Sequence, residues 1–308
     1  MLYIHDTKEI QLEGPSVVTI GKFDGFHLGH RKLLQECCRI RKAGERVVVF
    51  TFSRSPQMVL AGKAYAELNS HEEKVHLAEA LGVDVLIEYP FTPDVRQMTA
   101  ENFLKDILFD RLHAVAIVAG PDCRFGYERR GDIEFLEEHS EELGYLVHVV
   151  EKENYQLMPI SSTRIREVLR KGAIEEVNAM LGCHYGYDGE VVHGRRLGRT
   201  LGFPTINQWV PEGKVLPQYG VYASEVVRNG KVYPAVSNIG VKPTISGSER
   251  VSIETYIYDF DHEIYGEKIR VQLLHFVRPE RRFYSLEALK KQVDRDKIEV
   301  QRYHMGRM

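Results

Sequence analysis

Apolar residues along the first half of the chain fall into short continuous runs separated by longer stretches of mixed character. The runs at Ser16–Ile20, Arg46–Phe52, Val83–Glu88, Ala114–Ala119 and Tyr145–Val150 read as strands. Between them the periodicity is helical. Leu33, Cys37 and Ile40 recur at helix spacing, with Gly44 as the stop. Ser70 and Glu73 form a capping-box pattern ahead of Leu77, Ala78 and Leu81, and Phe103, Leu104, Ile107 and Leu108 fall on one helical face. Strands that are apolar throughout, alternating with helices, predict a parallel sheet covered on both faces. Ligands of such a sheet bind beyond the C-terminal ends of its strands, at a topological switch point.

Near Gly182 the pattern changes. From Tyr187 the period is mostly two: Val251, Ile253, Thr255 and Ile257 point one way, and Ser252, Glu254, Tyr256 and Tyr258 the other. Asn229-Gly230 between two β-rich runs predicts a tight hairpin turn. Strands linked by turns with no helix between them suggest an antiparallel barrel. A final helix starts after the N-cap Ser285, with Leu286, Leu289 and Val293 as its apolar stripe. The expected architecture is therefore α/β. A Rossmann-like parallel-sheet domain over residues 1–182, closed by a helix at Ile174–Leu181, precedes a β-barrel domain over residues 183–308 that ends in a helix.

Composition narrows the function. A chain of 308 residues with 43% hydrophobic and 28% charged residues supports two globular cores. A net charge of −3 supplies no basic field, so an anionic ligand must be held by local groups, and nucleic-acid binding is not expected. Cys37, Cys38, Cys123 and Cys183 show neither zinc-site spacing nor a disulfide framework and read as reduced thiols. Residues 1–30 lack a secretory pattern and no apolar run approaches a membrane span. A cytoplasmic protein with no membrane partner is expected, and a homo-oligomer is left open.

Two stretches carry chemistry. GKFDGFHLGH, residues 21–30, follows the first predicted strand and opens the first helix. Free amides at that helix start, with Gly21, Gly25 and Gly29 permitting close approach, suit phosphate. His27 and His30 can donate to it, more strongly when protonated. ISSTRIR, residues 160–166, offers Ser161, Ser162 and Thr163 as helix caps or, beside Arg164 and Arg166, as parts of an anion site. In the second half, GEVVHGRRLGRTLGFPTIN, residues 189–207, interleaves Gly194, Gly198 and Gly202 with Arg195, Arg196 and Arg199. That composition reads either as a phosphate cradle or as a flexible charged hairpin. Thr205 and Asn207 share a strand face, and their oxygens suit a magnesium–phosphate complex. Glu254, beside Tyr256 and Tyr258, is a candidate base.

GxFDGxHxGH paired with ISSTxIR resembles the HxGH nucleotidyltransferases, and more closely the adenylyltransferase module of bacterial bifunctional riboflavin kinase/FAD synthetases. HEEKVHLAEALGVD, AENFLKDILFDRL and RFGYERRGD continue that likeness. The glycine-rich loop leading into PTIN, then SNIGVKPTI, SIETYIYDF and EIYGEKIRVQLLHFVRPERRF, is similar to the riboflavin kinase signature. The resemblance covers about residues 15–300 and implies two activities, riboflavin to FMN and FMN to FAD, with ATP as co-substrate and Mg²⁺ as cofactor.

For the adenylyltransferase it implies that Gly21, Phe23, Asp24, His27, His30 and Asp122 surround the ATP phosphates and that Ser162, Thr163 and Arg166 hold the leaving pyrophosphate. For the kinase it implies that Gly194, Gly198, Arg199, Gly202, Pro204, Thr205 and Asn207 bind ATP, with Thr205 and Asn207 on its Mg²⁺ and Glu254 as base inside the barrel. Two departures stand out. TFSRSP replaces the usual TFDPHP, a change that reads as weakened FMN binding, an altered acceptor, Arg54 as a substitute phosphate ligand or drift on a loop, and Lys242 stands where arginine is common. These leave room for a kinase with lost or altered adenylyltransferase activity. A non-catalytic flavin sensor is disfavoured by the retained phosphate-handling residues.

Overall fold

The computed structural model describes residues 1–53, 66–194, 198, 202–243 and 249–307. By contact density the chain divides into two units, Met1–Ser162 and Thr163–Met308.

The first unit is built on a six-stranded sheet: β1 (Leu2–His5), β2 (Ser16–Ile20), β3 (Arg46–Phe52), β4 (Val85–Tyr89), β5 (Ala114–Ala119) and β6 (Leu146–Val149), in the order β1-β4-β3-β2-β5-β6. Every pairing is parallel. The central strands read as unbroken apolar runs because both faces are covered. Val17, Val47, Val49 and Val118 pack with Leu34 and Cys37 of helix α1 (Leu28–Ile40) on one side. Val18, Val48, Phe50 and Ile117 pack on the other with Phe103, Leu104, Ile107 and Leu108. Those last four share a face as the sequence predicts, but in a π-helical stretch, Phe103–Phe109. The capping box forms on helix α2 (His71–Ala80), where Ser70 and Glu73 satisfy each other's backbone amides. Edge strand β1 has no counterpart in the sequence reading. Chain order reverses at β2, which pairs with β3 on one side and β5 on the other, so the switch point lies at the C-terminal end of β2.

A two-stranded hairpin, β7 (Asn154–Tyr155) with β8 (Met158–Pro159), leads to helix α3 (Ser162–Arg170), followed by helix α4 (Ile174–Leu181). The second unit's sheet contains β9 (Gly186–Glu190), β10 (Ile206–Trp209), β11 (Gly220–Arg228), β12 (Lys231–Pro243), β13 (Glu249–Ile257) and β14 (Lys268–Pro279). Its order is β10-β13-β12-β11-β14-β9, all antiparallel. A bridge between Val192 and Asn207 brings the two edges together and nearly closes the barrel. Helix α4 is tied to this unit: Asn178 Nδ2 donates to Leu273 O at 2.8 Å and Asn178 Oδ1 accepts from Tyr185 N at 2.7 Å. Positive φ at Asn229 (49°) and Gly230 (74°) gives the expected hairpin turn.

The final helix, α5 (Leu286–Met305), is capped by Ser285, whose Oγ accepts from Ala288 N. Its anchoring stripe is displaced from the predicted one. Leu286 is exposed, whereas Asp296 and Val300 are buried. Arg278 of β14 grips Asp296 with two nitrogens, at 3.0 and 2.6 Å. A polar anchor of this kind is invisible to hydrophobic periodicity.

Candidate active sites

At the switch point, residues 21–27 make a compact loop with three residues in the left-handed region: Phe23 (φ 45°), Gly25 (φ 93°) and Phe26 (φ 40°). Glycine takes that conformation freely, but each phenylalanine there costs about 1–3 kcal/mol. Both phenylalanines are fully buried in the cluster beneath α1, and burying such a side chain contributes about 1.5–3 kcal/mol. The core thus sustains a strained loop. Phe23 acts as its anchor: its ring is buried in that cluster and its centroid lies 4.9 Å from that of the His30 ring.

The anchored loop sets His27 as the N-cap of α1, its Nδ1 accepting from His30 N. An accepting Nδ1 leaves the proton on Nε2, so the ring presents a donor. The rings of His27 and His30 stack at 3.7 Å between centroids. Burial lowers the His27 pKa from 6.5 to about 4. Burial, then the charge of His27, lowers that of His30 well below its ordinary value. Both imidazoles are therefore neutral donors near pH 7 in the ligand-free protein, rather than the cations that would bind phosphate most strongly. His30 Nδ1 is buried with no protein partner among the described residues.

Further residues frame this loop. Asp24 Oδ1 accepts from Leu68 N at 2.8 Å, and Asp24 O accepts from Ser162 Oγ at 2.8 Å. Thr51 Oγ1 donates to Lys22 O at 3.1 Å. Asn69, next to Leu68, has a buried Oδ1 without a protein partner among the described residues. Neither Thr51 nor Asn69 carried a sequence signal. Asp122 lies just past β5, the strand beside β2, and pairs with Lys152 at 2.8 Å. Gly21 lies against the Phe23 ring. Thr163 is exposed and Arg166 buried on α3, in the second unit, where burial lowers the Arg166 pKa to about 10. The cysteines are free. Burial raises the thiol pKa of Cys37, and that of Cys123 to about 11, so neither is a thiolate at neutral pH.

The second site lies on the barrel's outer face, which corrects the expectation of an interior carboxylate. Strand alternation decides it. Ile253, Thr255 and Ile257 point inward, where Ser224, Ser237 and Thr255 form a buried hydroxyl chain with 2.7 Å links. Glu254 points outward and stands opposite Asn207 across the β10–β13 pair. Lys242 Nζ donates to Asn207 Oδ1 at 2.9 Å and pairs with the Glu254 carboxylate. One ammonium thus bridges the two residues that sequence reasoning selected. Tyr256 and Tyr258 share the outer face but pack under α5, with the Tyr258 hydroxyl donating to Lys297 O at 2.6 Å.

Glycines line the same face. A Cβ on Gly194 would sit 2.4 Å from Asn207 Nδ2, and one on Gly198 would sit 2.5 Å from Phe203 O and 3.4 Å from Thr205 Oγ1. No side chain fits at Gly194 without moving Asn207. Gly202 takes positive φ (86°), and Pro204 is exposed just before Thr205. A Cβ on Gly240 would collide with the Glu280 carboxylate, which places a second acid on this face. Sequence reasoning missed Glu280, since its approach depends on the fold of β14 and its exit. Arg199, with Arg195 and Arg196, and Arg54 of the altered loop lie outside the described residues.

The family models agree with this division. The FAD synthetase model matches residues 9–164 and the riboflavin kinase model residues 181–304. A bifunctional riboflavin kinase/FMN adenylyltransferase of Escherichia coli is 37% identical over 97% of this chain and 96% of its own. The Listeria monocytogenes protein of the same name is 33% identical over 98% of this chain and 97% of its own. A crystal structure of a Streptococcus pneumoniae protein called a macrolide-efflux protein superposes with a TM-score of 0.87 at 31% identity, covering 97% of this chain and 98% of that one. In the present chain no helix among the described residues is long and apolar enough to cross a membrane. With both modules matched in order and relatives alike over nearly their whole length, the chain belongs to the bifunctional riboflavin kinase/FMN adenylyltransferase family.

Proposed function

We propose that the barrel unit phosphorylates the 5′-hydroxyl of riboflavin and that the histidine loop serves adenylylation of the resulting FMN to FAD, each from its own ATP. The observation that carries the reading is the Asn207–Lys242–Glu254 bridge on the barrel's outer face. A neutral hydroxyl needs its proton removed, and Glu254, a carboxylate on the same face as Asn207, is suited to accept it as the oxygen attacks the γ-phosphorus and the bond to ADP breaks. Lys242 then has a second use, since its charge can turn from Glu254 to the phosphates. Thr205 and Asn207 are hard oxygen donors of the kind Mg²⁺ prefers, and would hold the ion that screens the ATP phosphates.

In the adenylyltransferase, an FMN phosphate oxygen attacks the α-phosphorus and the bond to pyrophosphate breaks. No base is needed, because the nucleophile is already an anion. The task is placing two anions together and neutralising the charge that develops. His27 Nε2–H, the His30 imidazole and the amides opening α1 suit that task, with Ser162, whose Oγ donates to Asp24 O, beside the loop; the family resemblance assigns Thr163 and Arg166 to the departing pyrophosphate. On this assignment the first functional module extends through α3 to Gly182.

A second reading keeps the kinase and alters the adenylyltransferase. Ser53 stands where an acidic residue is usual, and its Oγ donates to Asp6 Oδ1 at 2.9 Å. Incubating the purified chain with riboflavin and ATP–Mg²⁺, then separating flavins by chromatography, distinguishes the two. FMN followed by FAD is expected. FMN without FAD, at any FMN or Mg²⁺ concentration, selects the second reading, and the absence of both products refutes either.

A further inference from the structure

Away from the phosphate loop, the parallel-sheet unit assembles a set of metal-type donors from three elements. His5, at the end of edge strand β1, stands opposite Glu88 of β4 in the parallel ladder, so both side chains leave the same face of the sheet. His71, the first residue of α2, reaches the same place. Its Nδ1 lies 3.0 Å from Glu88 Oε2, and its ring centroid lies 4.7 Å from that of His5. One donor atom from each of His5, His71 and Glu88 lies within 4.8 Å of the others.

The carboxylate at the centre is held from behind. Glu88 is buried, and its Oε1 accepts from the buried Lys74 at 2.7 Å, leaving Oε2 turned toward the imidazoles. Lys74 has a second carboxylate partner, Glu67, at 3.3 Å. Two acids against one ammonium leave a net negative charge beside two imidazoles, as a cation site requires. The Tyr3 hydroxyl, which donates to Glu88 Oε2 at 2.6 Å and also meets His71, is the group an ion would displace or recruit. Both histidines are exposed, which provides a route of entry.

We propose that His5, His71 and Glu88 bind a borderline-soft divalent transition ion of the Zn²⁺ class, clipping β1 to α2. Two nitrogens and one carboxylate form a donor set that favours such an ion over Mg²⁺, with a fourth position open toward Tyr3 or solvent. The site is separate in chemistry from the hard-oxygen ATP–Mg²⁺ sites, and it rests on none of the activities above. It adjoins Asp6, which takes the Ser53 hydrogen bond, so an ion here also braces the residue that begins the altered loop.

The test is calorimetric titration of chelator-treated full-length protein with Zn²⁺ alone, without nucleotide or flavin. A single tight equivalent is expected. His5→Ala and His71→Ala each weaken it at least about tenfold, the lower end of what losing even an outer partner of a ligand costs. His262→Ala, an exposed histidine of the barrel unit, leaves it unchanged. Co²⁺ used as a probe gives a visible absorption band in the wild type that both first-unit variants lose. No tight equivalent in the wild type, or equal binding by the His5 and His71 variants, overturns the proposal. Because the two replaced side chains are exposed, loss of binding cannot be assigned to loss of core packing.

Discussion

Replacing His27 by asparagine separates its structural duty from its chemical one. Asparagine caps helices well, and its side-chain oxygen can accept from His30 N as His27 Nδ1 does. The variant therefore folds, with stability at neutral pH within about 1 kcal/mol of the wild type. What disappears is a titration. The His27 pKa is about 4 in the folded chain against an ordinary 6.5. A folded value below the unfolded one means that the unfolded state binds the extra proton first. The stability term is thus complete above the unfolded value and is lost as pH falls through the folded one. At about 1.4 kcal/mol per pH unit the full term is about 3 kcal/mol, of which about 2 kcal/mol has gone by roughly pH 5.

The assay is urea unfolding from about pH 7.5 to about pH 4.5, followed by far-ultraviolet circular dichroism and by tryptophan fluorescence. The sole tryptophan, Trp209, lies in the barrel, so its transition serves as an internal control. His27→Asn is expected to flatten the acid-side loss in the dichroism transition and to leave the fluorescence transition alone. An acid slope equal to that of the wild type would refute the buried, neutral histidine. The same variant is expected to lose FAD formation while keeping FMN formation, measured by flavin chromatography.

Other outcomes follow from the second unit. Gly194→Ala pushes a methyl against the Asn207 amide, so FMN formation should fall at least about tenfold, the cost of about 1.4 kcal/mol at the transition state, while added FMN is still converted to FAD. Glu254→Gln should lower the kinase rate about 100- to 10,000-fold, read in turnover rather than in thermal stability. Asp296→Ala removes the buried partner of Arg278 and should cost about 3–5 kcal/mol, read by the tryptophan transition.

Local order was legible where one residue pattern admits one environment. Ser16–Ile20, Arg46–Phe52 and Ala114–Ala119 are strands with the predicted bounds, because short runs of mostly β-branched and apolar residues without alternation suit a strand covered on both faces. The Ser70–Glu73 box and the Ser285 cap were readable because capping partners lie within one turn. Edge strand β1 was missed: four residues, half exposed, gain their structure only by pairing with β4. Leu286 was misassigned for a related reason, since the helix docks further along its length, through Val300, Tyr303 and the ion pair of Asp296 with Arg278 of β14.

The sequence by itself determined two modules, their classes, the histidine loop and the Thr-x-Asn strand, all of which are encoded within short windows. Only the tertiary structure decided which face of the barrel carries Glu254, that Lys242 joins it to Asn207, that Glu280 approaches the same face, and that burial keeps His27 and His30 uncharged. Those properties depend on the distance and dielectric between residues far apart in the chain. Both quantities come into existence only when strands pair and water leaves.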